Sequence, residues 1–328
     1  MNSGLVLTSK FIASASVFLA FVVVLNNFIS FGAGYPSVAQ TLGHYGLPGF
    51  AAPSKPIESG LAVGGLQTLL LILAVAFAGF YSVKVTSLER LSHHFDTLAS
   101  VIIRIAFWAV LLVGVTDALL SFLRVEDLHV AIFGQEIATK IGQSAWRGAY
   151  IHVPIMGIAV LLGLRDKSVS VVWLILLVVL AELLIVLARF IFAYEQTFMG
   201  DLVRFWYAAL FLFASAYTLK EEGHVRVDVL FAGLKARTKA WVNATGTLAF
   251  GIPLCWIILW RGLSGKSSLI NSPMLNFETS MSGFGMYIKY LMAAFLVVFA
   301  LSMIAQFTSY FFSAMAKLHA PSQDGKEA

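Results

Sequence analysis

Charge is scarce in this chain. Asp, Glu, Lys and Arg make up 12% of its 328 residues and hydrophobic residues 59%, against about 25% charged in an ordinary soluble domain. Mean hydropathy is +0.86. A soluble fold of this length has nowhere to bury so much Leu, Val, Ile and Phe, so that class is excluded. Cysteine is nearly absent: Cys255 stands alone in an apolar run, which rules out an internal disulfide or a Cys-rich metal site. No GxxxxGK[ST] sequence occurs, so nucleotide hydrolysis by that route is excluded. No GxSxG occurs either, and no nucleophile–His set follows from spacing. Histidine is missing where a membrane haem would need it. Only His152 lies inside an apolar run, whereas His44, His93, His94, His129, His224 and His319 fall in connections or near the end. His93, His94 and Asp96 read as solvated rather than as a metal set. No directly bound cofactor and no enzymatic activity are expected.

What is abundant is long apolar runs. Eight of them reach the roughly 18 residues that mark a membrane-spanning helix: 11–33, 61–83, 97–123, 147–164, 169–193, 202–219, 241–260 and 284–313. Lys10 ahead of the first resembles the start of a signal peptide, but the run is long for one and more spans follow. The fold class is therefore all-α, a polytopic membrane helical bundle. With the N-terminus inside, twelve of the 22 Lys and Arg fall in inner segments and five (Lys55, Lys140, Arg147, Arg261 and Lys266) in outer ones. That bias orients both termini toward the cytoplasm and accounts for the net charge of +5 without nucleic acid.

Two connections read as helices lying in the interface. In the inner one, Val227, Leu230, Phe231 and Leu234 keep helical spacing beside Lys235, Arg237 and Lys239, a pattern suited to the lipid surface. In the outer one, Val130, Phe133, Ile137 and Ile141 do so among acidic neighbours. The segment 34–60, rich in Gly and Pro, reads as irregular, and 321–328 as a polar tail.

Ionisable residues inside spans are costly and need partners. Glu182 sits mid-span and Arg189 two turns further on the same face, roughly 10 Å away, too far for direct pairing. Both read as structural clamps, onto another helix or another subunit, with an ion path as the alternative for Glu182. Asp117 reads likewise. Arg104, Arg204 and Lys289 lie within reach of interfaces. Trp108, Asp117 and Arg124 recur as Trp173, Glu182 and Arg189 at the same offsets, which suggests a parallel duplication.

One stretch is too charged to span a membrane and too patterned for a plain linker: Gly223-His224-Val225-Arg226-Val227-Asp228, after Ala216-Tyr217-Thr218-Leu219. Asp228 suits a helix N-terminus, Arg226 a phosphate or a partner's carboxylate, and His224 the last carbonyls of the preceding span. With Arg189-Phe190, Pro253, Glu278-Thr279-Ser280 and Lys289, this run resembles the small membrane subunit of tripartite ATP-independent periplasmic (TRAP) transporters, the DctQ type. The layout looks most like the mannitol/chloroaromatic branch. The resemblance covers roughly 169–313. It implies a scaffold subunit in the bacterial inner membrane, partnered by a large DctM-type membrane subunit that carries substrate and sodium. A periplasmic DctP-type binding protein would deliver an organic acid. His224, Arg226, Asp228, Glu182, Arg189 and Lys289 become the candidate partner or lipid contacts. Two departures stand out: about four extra spans precede the region, and Asp201 stands where the family often has a Glu pair. The expected organisation is an extension over 1–168, a DctQ-like region over 169–316 and a tail over 317–328. A self-sufficient secondary transporter is the competing class, and a membrane redox subunit the third. The former expects matched helix interruptions at mid-membrane, whereas Pro154 and Pro253 read as unrelated in position.

Overall fold

The structure is a computed structural model that describes residues 3–53, 57–220, 229–280 and 285–319. Among the described residues the regular elements are all helical. The N-terminal half contains α1 (Ser3–Asn27), α2 (Val38–His44), α3 (Leu61–Lys84), α4 (Leu88–Val125), α5 (Leu128–Ile141), α6 (Ser144–Arg147) and α7 (Val153–Arg165). The C-terminal half contains α8 (Val171–Phe192), α9 (Thr197–Lys220), α10 (Val229–Ala232), α11 (Ala236–Gly246), α12 (Ile252–Gly262), α13 (Asn271–Leu275) and α14 (Lys289–His319). Eight helical stretches of the described residues are long and apolar enough to cross a membrane, with α6–α7 and α11–α12 each forming one of them. Helices are the answer in lipid because every backbone N–H and C=O is satisfied within the segment. The chain is a multi-pass membrane protein.

Three π turns occur in these spans: Phe28–Gly32, which ends the first, and Gly148–His152 and Thr247–Gly251, which interrupt two others. The last two stand directly ahead of Pro154 and Pro253. Proline has no N–H and its ring presses on the carbonyl four residues back. Widening the preceding turn to an i→i+5 bond removes that conflict. The two prolines, unrelated in sequence position, therefore share one local solution.

Chain contacts divide the molecule into two compact units, 1–98 with 222–265 and 303–328, and 99–221 with 266–302. In the first, Lys10 donates to the carbonyls of Val85 at 2.7 Å and Thr86 at 3.4 Å, so it closes the end of α3. Ser92 bonds Ser309, and Gln306 donates to Asp96. His93, His94 and Asp96 thus lie on α4, which begins earlier than expected, and His94 bonds the Tyr81 hydroxyl. Phe18, Phe77, Tyr81 and Phe95 form a ring cluster. The second unit has a core of Phe107, Val110, Phe198, Leu202, Phe205, Trp206, Phe213 and Phe295. Trp206 donates to the Val110 carbonyl at 2.9 Å, and its indole occupies the space left by the missing side chain of Gly114.

Several expectations need correction. The segment 34–60 is not wholly irregular. Ser37 and Gln40 form a reciprocal capping box on α2, and Gly64 of α3 leaves room for the Thr41 side chain. The inner interfacial helix expected through Leu230, Phe231 and Leu234 to Lys239 is broken within its described part. α10 ends at Ala232, and α11 starts the next span. Lys239 donates to the Ala232 carbonyl at 3.0 Å, so a residue read as a lipid contact closes the end of a short helix instead. Where an outer interfacial helix is expected the chain forms a helix, α5, with Val130 and Ile137 exposed, but it is kinked at Gly134, whose φ is 75°.

Candidate functional site

Arg147, counted in the sequence as an outer-segment cation, is fully buried, and so are Asp117 and His152. Arg147 Nη1 donates to Asp117 Oδ1 at 2.8 Å, and His152 Nε2 meets the same oxygen at 3.0 Å. His152 Nδ1 pairs with the Tyr290 hydroxyl at 2.7 Å. One tautomer satisfies both ring nitrogens: Nε2–H donates to Asp117 while Nδ1 accepts from Tyr290. The π turn explains the convergence. Five residues along an α-helix are about 140° round its axis, so Arg147 and His152 would diverge. The bond from the Val153 N–H to the Gly148 carbonyl spans five residues instead, and both side chains reach one carboxylate. Gly148 is also required sterically, because a Cβ there would overlap the Phe277 ring and crowd the Tyr290 hydroxyl.

Asp117 Oδ2 accepts from the Tyr287 N–H at 2.7 Å. One residue earlier, the Met286 N–H donates to Asp201 Oδ2 at 3.0 Å, and Arg204 donates to the other oxygen of Asp201 at 3.2 Å. Arg124 Nη2 donates to the Gly285 carbonyl at 2.7 Å. Three consecutive residues leading into α14 are thus gripped by charged side chains from α4 and α9. The Arg124 and Arg147 guanidinium carbons lie 4.5 and 4.3 Å from the centre of the Tyr287 ring, within cation–π range.

This chemistry is that of a clamp. The two oxygens of Asp117 already receive three donors, which leaves little capacity for a passing cation. Three backbone groups that precede a helix and would otherwise lack partners are satisfied. Among the described residues no three His, Cys, Asp or Glu side chains converge as a metal set.

The sequence-predicted residues fall differently. Lys289 pairs with Glu278 at 2.5 Å, which draws together two residues singled out on either side of 281–284. Arg189 pairs with Glu195 at 3.4 Å, and both are exposed. Glu182 lies on the exposed surface of α8. His224, Arg226 and Asp228 lie outside the described residues. Just past the end of α8, Tyr194 donates to Glu126 at 2.6 Å. Burial, and then the bond to that carboxylate, push its hydroxyl up to about 12. The reading of Asp117 as a clamp stands, and its partners are internal. Arg147, His152, Tyr287 and Tyr290 were missed as a group. The available signal was complementarity between the carboxylate near the end of one span and the cation and histidine opening the next.

No curated protein and no solved structure matches this chain. A family of transporter components does, one that works with DctM and DctP partners in TRAP systems. Residues 175–313, which hold most of the last four spans, match the family described as "Tripartite ATP-independent periplasmic transporters, DctQ component".

Proposed function

We propose that this chain is the small, non-catalytic membrane subunit of a TRAP-type transporter in the bacterial inner membrane. The match over 175–313 carries the reading. On this reading a large DctM-type subunit moves an organic acid with sodium, and a DctP-type periplasmic protein delivers it. The branch is the mannitol/chloroaromatic-like one, with 1–168 as an extension ahead of the DctQ-like region 169–316. The scaffold role is supported by the use made of buried charge: Asp117, Asp201, Arg124 and Arg147 are engaged with the chain's own backbone and side chains. The test is reconstitution. The chain is expected to co-purify with the large permease subunit, and proteoliposomes of the chain alone to show no sodium-driven uptake. Uptake by the lone chain would replace this reading with a self-sufficient transporter.

Both termini are placed in the cytoplasm. The charge bias supports this, and it grows when the buried Arg147 is removed from the outer count. Reporter fusions after Asp166, Lys235 and the C-terminus should report cytoplasm, and fusions at Lys140 and Lys266 periplasm. A periplasmic C-terminus would reverse the assignment.

A further inference from the structure

Glu182 stands at the middle of α8, eleven residues from Val171 and ten from Phe192. That is about 15–17 Å from either end at 1.5 Å per residue, near the centre of a hydrocarbon layer about 30 Å thick. α8 buries one stripe, Leu174 and Ala181, with Leu177, Val178, Ile185 and Ala188 beside it. The opposite stripe carries Ile175, Val179, Glu182 and Val186, all exposed. Only 11% of this span's apolar window is buried against the rest of the chain, compared with 50% for the last span. A lipid-facing helix would account for the apolar members of that stripe. It does not account for the carboxylate.

Among the described residues Glu182 has no hydrogen bond or ion pair. The charged groups nearby are engaged elsewhere: Arg189 with Glu195, and on the adjoining α9, Arg204 with Asp201. A glutamate has two methylenes and cannot snorkel to either surface as Lys or Arg does. Lipid tails offer no donor, and an ionisable group at this depth faces protein or water. The same molecule shows what the alternative looks like, since Asp117, at the matching place in the Trp-Asp-Arg pattern, is buried and receives three donors from its own unit.

A second copy of the chain is a poor partner. A two-fold axis along the membrane normal would set Glu182 against Glu182 at equal depth. Arg189 would lie about 10 Å off along the helix. We propose that the face of α8 formed by Ile175, Val179, Glu182 and Val186 docks on a transmembrane helix of a different protein. That helix presents an Arg or Lys to Glu182 at mid-membrane depth. Its identification as the large transporter subunit rests on the function proposed above.

The experiment places a photo-crosslinking amino acid at position 179 or 186 in the full chain, co-expressed with the large subunit, with position 72 on the exposed face of α3 as control. Positions 179 and 186 should crosslink to the large subunit next to an Arg or Lys, as mapped by mass spectrometry, and position 72 should not. Glu182→Gln should lower the co-purified large subunit at least tenfold, and Glu182→Arg should abolish it. Exchanging the mapped cation for Glu should restore retention in Glu182→Arg. The isolated Glu182→Gln chain should be as thermally stable as wild type or more so, because no internal contact is lost. A purely internal role predicts the opposite. Wild-type retention in Glu182→Gln, crosslinks only to lipid or a second copy, or intact assembly whose transport loses sodium dependence would each overturn the inference and leave the function standing. A wild-type chain that retains no large subunit sinks the function. The α8 inference then survives only if positions 179 and 186 still crosslink to an identified membrane protein beside an Arg or Lys.

Discussion

Asp117→Ala is expected to cost about 3–5 kcal/mol, the range for removing one partner of a buried ion pair. Asp117 is at the hub of the clamp. Without it Arg147 remains fully buried with no counter-charge, His152 Nε2 loses its acceptor, and the Tyr287 N–H is left unpaired. Thermal unfolding of the purified chain in detergent should begin at much lower temperature, with loss of a monodisperse elution peak. Adding Arg147→Met should recover part of the loss, because replacing a buried pair by apolar side chains is often neutral. A single variant as stable as wild type would mean that Arg147 finds another acceptor and that the cluster is incidental.

Expression of 169–328 without 1–168 is expected to yield less than about a tenth of the full chain's membrane level, as buried polar groups and core would both be exposed. Asp117 and Arg124 grip residues 287 and 285 from the N-terminal side of that cut. The Val110 carbonyl accepts from Trp206, and Phe107 and Val110 belong to the same core as Phe198, Leu202 and Phe295. Co-expression of 1–168 as a separate chain should restore accumulation. Tagged fragments and quantitative immunoblots of membranes measure both arms. A stable, monodisperse 169–328 fragment would show the preceding spans to be an appendage.

The spans were legible in sequence because lipid demands uninterrupted apolar length, and length survives as a simple run. Their polar interior was only half legible. Asp117 could be recognised as needing partners, but Arg147 sits at the edge of its run and reads there as a topological cation. Its approach to Asp117 depends on a widened turn for which the sequence carries no direct signal beyond Pro154. Asp201, read as a remnant of a missing Glu pair, holds a backbone N–H 85 residues away in the chain, a contact that no local pattern encodes. Glu182 is the reverse case: its need for a partner is plain in sequence, and no described residue of the folded chain meets that need.

The widened turns also bear on how the chain changes over evolutionary time. A π turn amounts to one extra residue lodged in a helix, so each span that has one carries what was in effect a single-residue insertion. Removing one residue within 148–151 would restore a regular helix in which Arg147 and His152 stand four apart, on much the same face as across the widened turn. The phase of the residues beyond would be kept as well, including Gly163 against the backbone of Ile105, which leaves no room for any side chain there. The widened turn can therefore be gained or lost without undoing the contacts on either flank, and sequences related to this one should vary by one residue within 148–152 while keeping a carboxylate at position 117.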